Sequence, residues 1–171
     1  MVEVGLFGFE GMAGSSVVLG AGQTPNKSMV QVNGSPSMVI SSEALVAACS
    51  QSAGLHMLLL RYSQSMNVQA SQTAAANARF ELPERLARWL LMCQDRVQSA
   101  QLGLTHEYMS TMLAVRRSGV TVTLHTLEAT GAIRSTRGVV TILDRGRLEE
   151  ISGESYGSAE AEYRRLIGRF A

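Results

Sequence analysis

The chain has 171 residues, 46% of them hydrophobic, and a net charge of +1 at pH 7, which is enough apolar content to bury a core and too even a balance for a protein that coats nucleic acid regardless of sequence. No apolar run approaches the roughly 20 residues that cross a bilayer, and the start, MVEVGLFGFEGMAG, lacks a basic segment followed by an apolar one, so a cytoplasmic protein without a membrane partner is expected. Cys49 and Cys93 form no CxxC and have no histidine at ligand spacing; both are read as reduced and buried, with no zinc or iron–sulfur site.

The first fifty residues are rich in Gly and Ser, with short apolar runs VVL, MVQV and MVI, a pattern that predicts strands and turns. A long helix is predicted over residues 54–77, because no proline falls between Pro36 and Pro83. Along it Leu55, Leu59, Tyr62, Met66, Gln69, Thr73 and Ala76 recur at intervals of four and three, a heptad-like seam suited to two copies packing side by side. An ordinary buried helix fits as well, since Met57, Leu58 and Leu60 supply a seam in another register. After Pro83, the spacing of Leu86, Trp89, Leu90, Cys93 and Val97 predicts a second amphipathic helix opened by proline in its first turn.

The most informative stretch is LTHEYMSTMLAVRRSGVTVTLHTLEATGAIRSTRGVVTILD, residues 104–144. Thr105 is a cap for a short helix whose apolar side is Tyr108, Met109, Met112 and Leu113. Ala114, Val115 and Arg116 make a tight corner, and a second helix runs from about Arg117 to Ala129. Val120, Leu124 and Leu127 form its core side, while Ser118, Thr121, Val122 and His125 form a short, mostly polar face with Arg116 and Arg117 at the amino end. Such a face has the depth, hydrogen-bonding reach and charge that a helix entering a DNA major groove needs. Gly131 ends the helix, and Ile133 to Ser135 followed by Val139 to Ile142 reads as a hairpin with a basic tip at Thr136, Arg137 and Gly138. In the tail, Leu148 and Ile151, then Tyr163, Leu166, Ile167 and Phe170, predict short amphipathic helices that pack against this unit. No catalytic constellation is visible: His56, His106 and His125 lie in helical segments without a nucleophile or carboxylate at telling spacing, so no enzyme is expected.

Three segments, ERLARWLLMCQDRV, the helix-corner-helix stretch and RGVVTILD, resemble the DNA-binding half of Crp/Fnr-family transcription regulators. The resemblance implies an α+β fold: a partial β-roll remnant of a cyclic-nucleotide-binding-like domain over 1–52, a dimerisation helix over 53–80, and a winged helix-turn-helix domain with a helical tail over 81–171. It implies double-stranded DNA and a second copy of the chain as partners, with RNA polymerase a further one, and a palindromic site read by two helices roughly 34 Å apart. Arg117 and Ser118 would lie at base-reading positions, Thr105, His106, Arg116 and Gly119 near phosphates, and Thr136 and Arg137 on the backbone. Two departures stand out. Val122 occupies a position where the best-known members carry arginine, so the preferred sequence should differ, and Arg116 replaces a small hydroxylic residue at the corner, exchanging a helix cap for a phosphate contact.

The chain is expected to begin near the family's phosphate-binding turn, without the leading part of the roll. The turn is Glu10-Gly11-Met12-Ala13-Gly14, with Lys27 and Ser28 beyond it. Met12 or Ala13 stands where the nucleotide binders have a carboxylate for the ribose, and Lys27 where they have an arginine for the cyclic phosphate. Amides at Gly11 to Gly14 could still cradle an anion, yet lysine lacks the arginine fork, and no cyclic nucleotide or other cofactor is expected. The competing reading is a dimeric protein-interaction or regulatory module that no longer reads DNA. Steep salt dependence of DNA binding separates the two.

Overall fold

The computed structural model describes residues 2–32, 37–97 and 99–169. Its helices are α1 (Ser42–Gln51), α2 (Ala53–Arg79), α3 (Leu82–Val97), α4 (His106–Met112), α5 (Arg117–Ala129), α6 (Arg145–Ser152) and α7 (Ser158–Leu166), and its strands β1 (Gln101–Leu102), β2 (Ile133–Thr136) and β3 (Val139–Ile142). The strands form an antiparallel sheet in the order β1-β3-β2. Both helices and sheet are thus present, as the α+β reading requires. No helix among the described residues is long and apolar enough to cross a membrane.

The core is built around α3. Leu86, Ala87, Trp89, Leu90, Leu91, Met92 and Cys93 are all buried, so this helix is covered nearly all round. Its neighbours supply Leu102 and Leu104 before α4, Met109 and Met112 from α4, Val120, Leu124 and Leu127 from α5, Ile133 and Val140 from the sheet, and Leu148 from α6. Each such side chain contributes about 1.5–3 kcal/mol by leaving water. Burial pushes the Cys93 thiol pKa far up, which keeps it a small apolar filler. Cys49, expected to be buried as well, is half-exposed, and both thiols are free.

The helix boundaries follow from local chemistry. The Ser41 hydroxyl accepts from Ala44 N–H at 3.2 Å and the Ser52 hydroxyl from Leu55 N–H at 3.2 Å, capping α1 and α2. Ser52 both ends α1 and opens α2. Pro83 lies in the first turn of α3, where a missing N–H costs nothing. In the tail, α6 packs on α3 and α7 on α2; Phe170, expected on the apolar side of the tail, lies outside the described residues.

The front of the chain differs from the sequence expectation. The runs VVL, MVQV and MVI are not strands: Ser15–Val17 make a 3-10 turn, and the described residues from 18 to 40 are irregular. A strand needs a neighbouring backbone to pair with, and none of β1 to β3 is beside these runs. The front is held mostly by side chains of α2 and α3 instead. Leu6 is buried; its N–H donates to Gln69 Oε1 and its carbonyl accepts from Arg96 Nε at 3.0 Å.

The seam on α2 also needs correction. Tyr62, Gln69 and Thr73, assigned to a contact between two copies, are buried within one chain, with Leu55, Leu59 and Met66 half-buried. The Tyr62 hydroxyl accepts from Met12 N–H and donates to Met12 O, both at 3.0 Å, and Thr73 Oγ1 accepts from Arg88 Nη2 at 3.0 Å. Periodicity fixes which residues share a face, not what covers it; here the front segment, α3 and α7 do. The exposed stripe is Met57, Arg61, Gln64, Ser71 and Ala75, two residues further along and so about 200° around the helix.

Candidate DNA-binding surface

The corner between α4 and α5 is set by backbone geometry. Thr105 caps α4 by accepting from Tyr108 N–H at 3.1 Å. Val115 N–H returns to Ser110 O at 3.0 Å, and Ala114 takes a left-handed conformation, φ 54°, which its Cβ makes costly and which a β-branched or bulky side chain would make costlier. From α3, Arg85 donates to Leu113 O at 2.7 Å and to Asn77 Oδ1 at 2.9 Å, fixing the corner to the core helix and to α2.

Arg116 is the residue that opens α5, and its side chain makes no capping bond. Arg116 is exposed where α5 begins, and a cation at that position, with first-turn amides left without a side-chain cap, is favourable to phosphate. Along α5, Val120, Leu124 and Leu127 are buried, while Arg117, Ser118, Val122 and His125 are exposed on the other side. Val122 is 66% exposed, an apolar side chain left in water in the middle of this face.

Thr121 and Gly119 are placed differently from the other expected contacts. The Thr121 hydroxyl donates to Arg117 O at 3.2 Å and pairs with His106 Nδ1 at 2.9 Å, so these two half-buried side chains brace α4 against α5. The Gly119 N–H donates to Arg116 O at 2.9 Å, and a Cβ there would meet Leu82 at 3.3 Å, so this position faces α3.

The wing is the hairpin β2-β3, in register from Ile133 opposite Ile142 to Thr136 opposite Val139. That leaves a two-residue tip, Arg137-Gly138, with Gly138 at φ +77° supplying the conformation that closes it. Thr136 and Arg137 are exposed there, and Arg134 is exposed on β2.

The sequence reading missed Glu128. Its Oε1 accepts from Ser135 N–H at 2.6 Å, and its Oε2 lies 3.3 Å from His125 Nδ1. An acid in the last turn of a helix opposes the helix dipole, and that misfit, three residues after a histidine, was the available signal. Also missed was Arg145, which joins α6 to α3 through Asp95 at 2.9 Å and Gln94 at 2.9 Å and bonds the Tyr156 hydroxyl at 2.7 Å.

The front turn is tightly packed. Glu10 is ion-paired to Arg96 at 3.1 Å and accepts from Gly8 N–H at 2.8 Å. Gly11 N–H is bonded to Gly8 O at 3.2 Å, and a Cβ at Gly11 would sit 2.4 Å from the Tyr62 hydroxyl, so only glycine fits. With Met12 N–H also taken by Tyr62, two of the four amides from Gly11 to Gly14 are engaged within the chain. Burial pushes the Tyr62 pKa up to about 12, so its hydroxyl remains a donor. Lys27 and Ser28 are exposed.

Comparison with known proteins agrees with this geometry. Residues 84–151 match the Crp-like helix-turn-helix domain. Among solved structures, the chain is similar to a Crp/Fnr-family transcriptional regulator from Eubacterium rectale, with 24% identity over 67% of this chain and 53% of that one and a TM-score of 0.51. It is similar to a CRP-family regulator from Thermus thermophilus, with 26% identity over 56% of this chain and 52% of that one and a TM-score of 0.50. It also resembles FixK2 from Bradyrhizobium japonicum, with 18% identity over 67% of this chain and 60% of that one and a TM-score of 0.59. The chain spans about half the length of the first two. No curated protein matches significantly. The chain therefore carries a Crp-like helix-turn-helix domain in a fold shared with Crp/Fnr-family transcriptional regulators.

Proposed function

We propose that the chain is a sequence-specific, DNA-binding transcription regulator of the Crp/Fnr type, which binds a palindromic site as a homodimer without a cyclic nucleotide. The observation that carries this reading is the two-sided α5: a buried Val120-Leu124-Leu127 stripe backs an exposed face bearing Arg117, Ser118, Val122 and His125, flanked by Arg116 and the Arg137 wing tip. In this reading Arg117 pairs with guanine O6 and N7, an interaction of about 1–3 kcal/mol in discrimination. Val122 offers methyl groups to thymine, and Arg116 and Arg137 hold phosphates.

Dimerisation would use the exposed stripe of α2, with Met57 and its neighbour Leu58 as the apolar end and Ser71 and Ala75 as the small end. The engaged Gly11 and Met12 amides and the Glu10–Arg96 pair support a front turn that does not bind nucleotide. RNA polymerase would be the further partner of such a regulator. Selection of bound duplexes from a random pool tests the reading: a palindromic consensus, lost at one base of each half-site in Arg117→Ala, is the expected result. Binding that is weak and indifferent to sequence would overturn it. Calorimetry with cAMP and cGMP should show no micromolar heat.

A further inference from the structure

We infer that Glu128 is a positioning residue for DNA reading: it holds the His125 ring so that Nε2 faces the groove as an acceptor for the amino group of adenine or cytosine, and it locks the wing to the same helix. This rests on the DNA-reading proposal and extends it to a contact made by an imidazole rather than an arginine.

The geometry is that of one carboxylate serving two elements. Glu128 Oε1 accepts the Ser135 N–H at 2.6 Å, tying the end of α5 to β2, the first strand of the wing. Oε2 faces His125 Nδ1 at 3.3 Å. A bare Nδ1 lone pair against a carboxylate oxygen is repulsive, so Nδ1 carries the hydrogen there. In the neutral ring the proton is then absent from Nε2, which becomes an acceptor. The His125 side chain is 74% exposed, on the face of α5 that carries Arg117 and Val122, whereas Glu128 is 27% exposed and sits behind it. In the major groove the amino donors are adenine N6 and cytosine N4, while guanine offers only acceptors, N7 and O6. The tautomer set by Glu128 therefore selects which bases the ring can bond.

The experiment is selection of bound duplexes with the full chain and its His125→Ala, Glu128→Ala and Glu128→Gln variants, with thermal unfolding of each. The wild type is expected to prefer adenine or cytosine at one position per half-site by about fivefold to tenfold, and His125→Ala to flatten that position alone. Glu128→Ala should flatten the same position, with the double variant no flatter than either. Glu128→Gln is the sharpest arm. Its carbonyl can keep the Ser135 N–H, which places the amide NH2 toward Nδ1; the ring hydrogen then moves to Nε2, and the preference should shift toward guanine. This arm also stands if Glu128→Ala does not fold. A uniform loss of affinity in the Glu128 variants with an unchanged consensus would overturn the positioning role, and a wild-type preference for guanine at the position lost in His125→Ala would overturn the tautomer. A wild type with no consensus would overturn the DNA-reading proposal and this one with it, whereas an intact consensus that depends on Arg117 but not on His125 would overturn only this one.

Discussion

The winged helix-turn-helix and the front segment differ in where their backbone hydrogen bonds go. From α3 to β3 the amides are satisfied by helices, by a registered sheet and by a corner closed within a few residues. In the front, Leu6 N–H goes to a glutamine side chain on α2, Met12 N–H to a tyrosine hydroxyl on α2, and Glu3 N–H to Met112 O at the end of α4. The first region folds from its own pattern; the second takes its shape from what it lies against. Stability should divide the same way, with the front opening at lower free energy than the reader.

The contact that joins the two regions offers the largest test. Arg96 on α3 pairs with Glu10 and donates to Leu6 O, and its side chain and that of Glu10 are 6% and 4% exposed. Removing one member of a buried ion pair costs about 3–5 kcal/mol, because the other charge is stranded. Arg96→Ala should lower the denaturant midpoint sharply, and amide exchange should rise first at Leu6 and Met12. If the two regions are as separate as their hydrogen bonds suggest, protection at Val120 and Leu124 and the affinity for DNA will not change. A parallel loss at α5 would show that the front is an integral support of the reader.

Within the reader, the corner is the point of greatest local demand. Ala114 sits at φ 54°, a left-handed conformation that costs any residue with a Cβ about 1–2 kcal/mol and that crowds a β-branched side chain further. Ala114→Val should lower the melting temperature, while the same change at the exposed Ala129, at the end of α5, should have a much smaller effect. Equal effects at the two positions would mean that the corner relaxes at no cost.

Arg116 tests whether the reader gives up stability for contact. Serine there would cap α5 and add about 1 kcal/mol, yet it would remove a phosphate contact and reduce the salt dependence of DNA binding by about one unit of slope. Arg116→Ser is thus expected to melt higher and bind DNA more weakly. A variant that melts higher and binds equally well would assign the arginine no phosphate.

The reader was legible in the sequence because its signals are local: a threonine cap, apolar spacing at three and four, a small residue at the corner, and a β-branched run after a basic tip all act within a few residues. Thr105, Arg116, Arg117, Val122, His125 and Arg137 lie where the spacing placed them. What was not legible depends on partners distant in sequence. Tyr62, Gln69 and Thr73 obey a seam, but the seam is filled by residues 6 and 12 and by Arg88, and no periodicity announces that. The runs VVL and MVI have strand composition without a strand to join. Thr121 and Gly119 sit on a surface helix yet turn toward His106 and Leu82, because the start of α5 packs against both α4 and the first residue of α3.

The smallest effect, and the one that separates the two regions by pH, concerns Glu3. This front residue is buried at 8% exposure, and its Oε1 has no hydrogen-bond partner among the described residues. Burial raises its carboxyl pKa, with nearby Arg88, the Trp89 side chain and Arg96 opposing the rise without cancelling it. A carboxyl whose pKa is higher in the folded state binds its proton more tightly there. The stability this provides is complete below the unfolded value of about 4.3 and is lost as the pH rises through the raised folded value. At pH 7 the charged form is therefore a net burden on the folded chain. Glu3→Gln should raise the denaturant midpoint at pH 7, with its advantage over the wild type shrinking as the pH falls toward 4, while exchange protection in α5 stays the same at both. A variant less stable than the wild type at pH 7 would mean that Arg88 and Arg96 outweigh burial, making Glu3 an anchor of the front rather than its weak point.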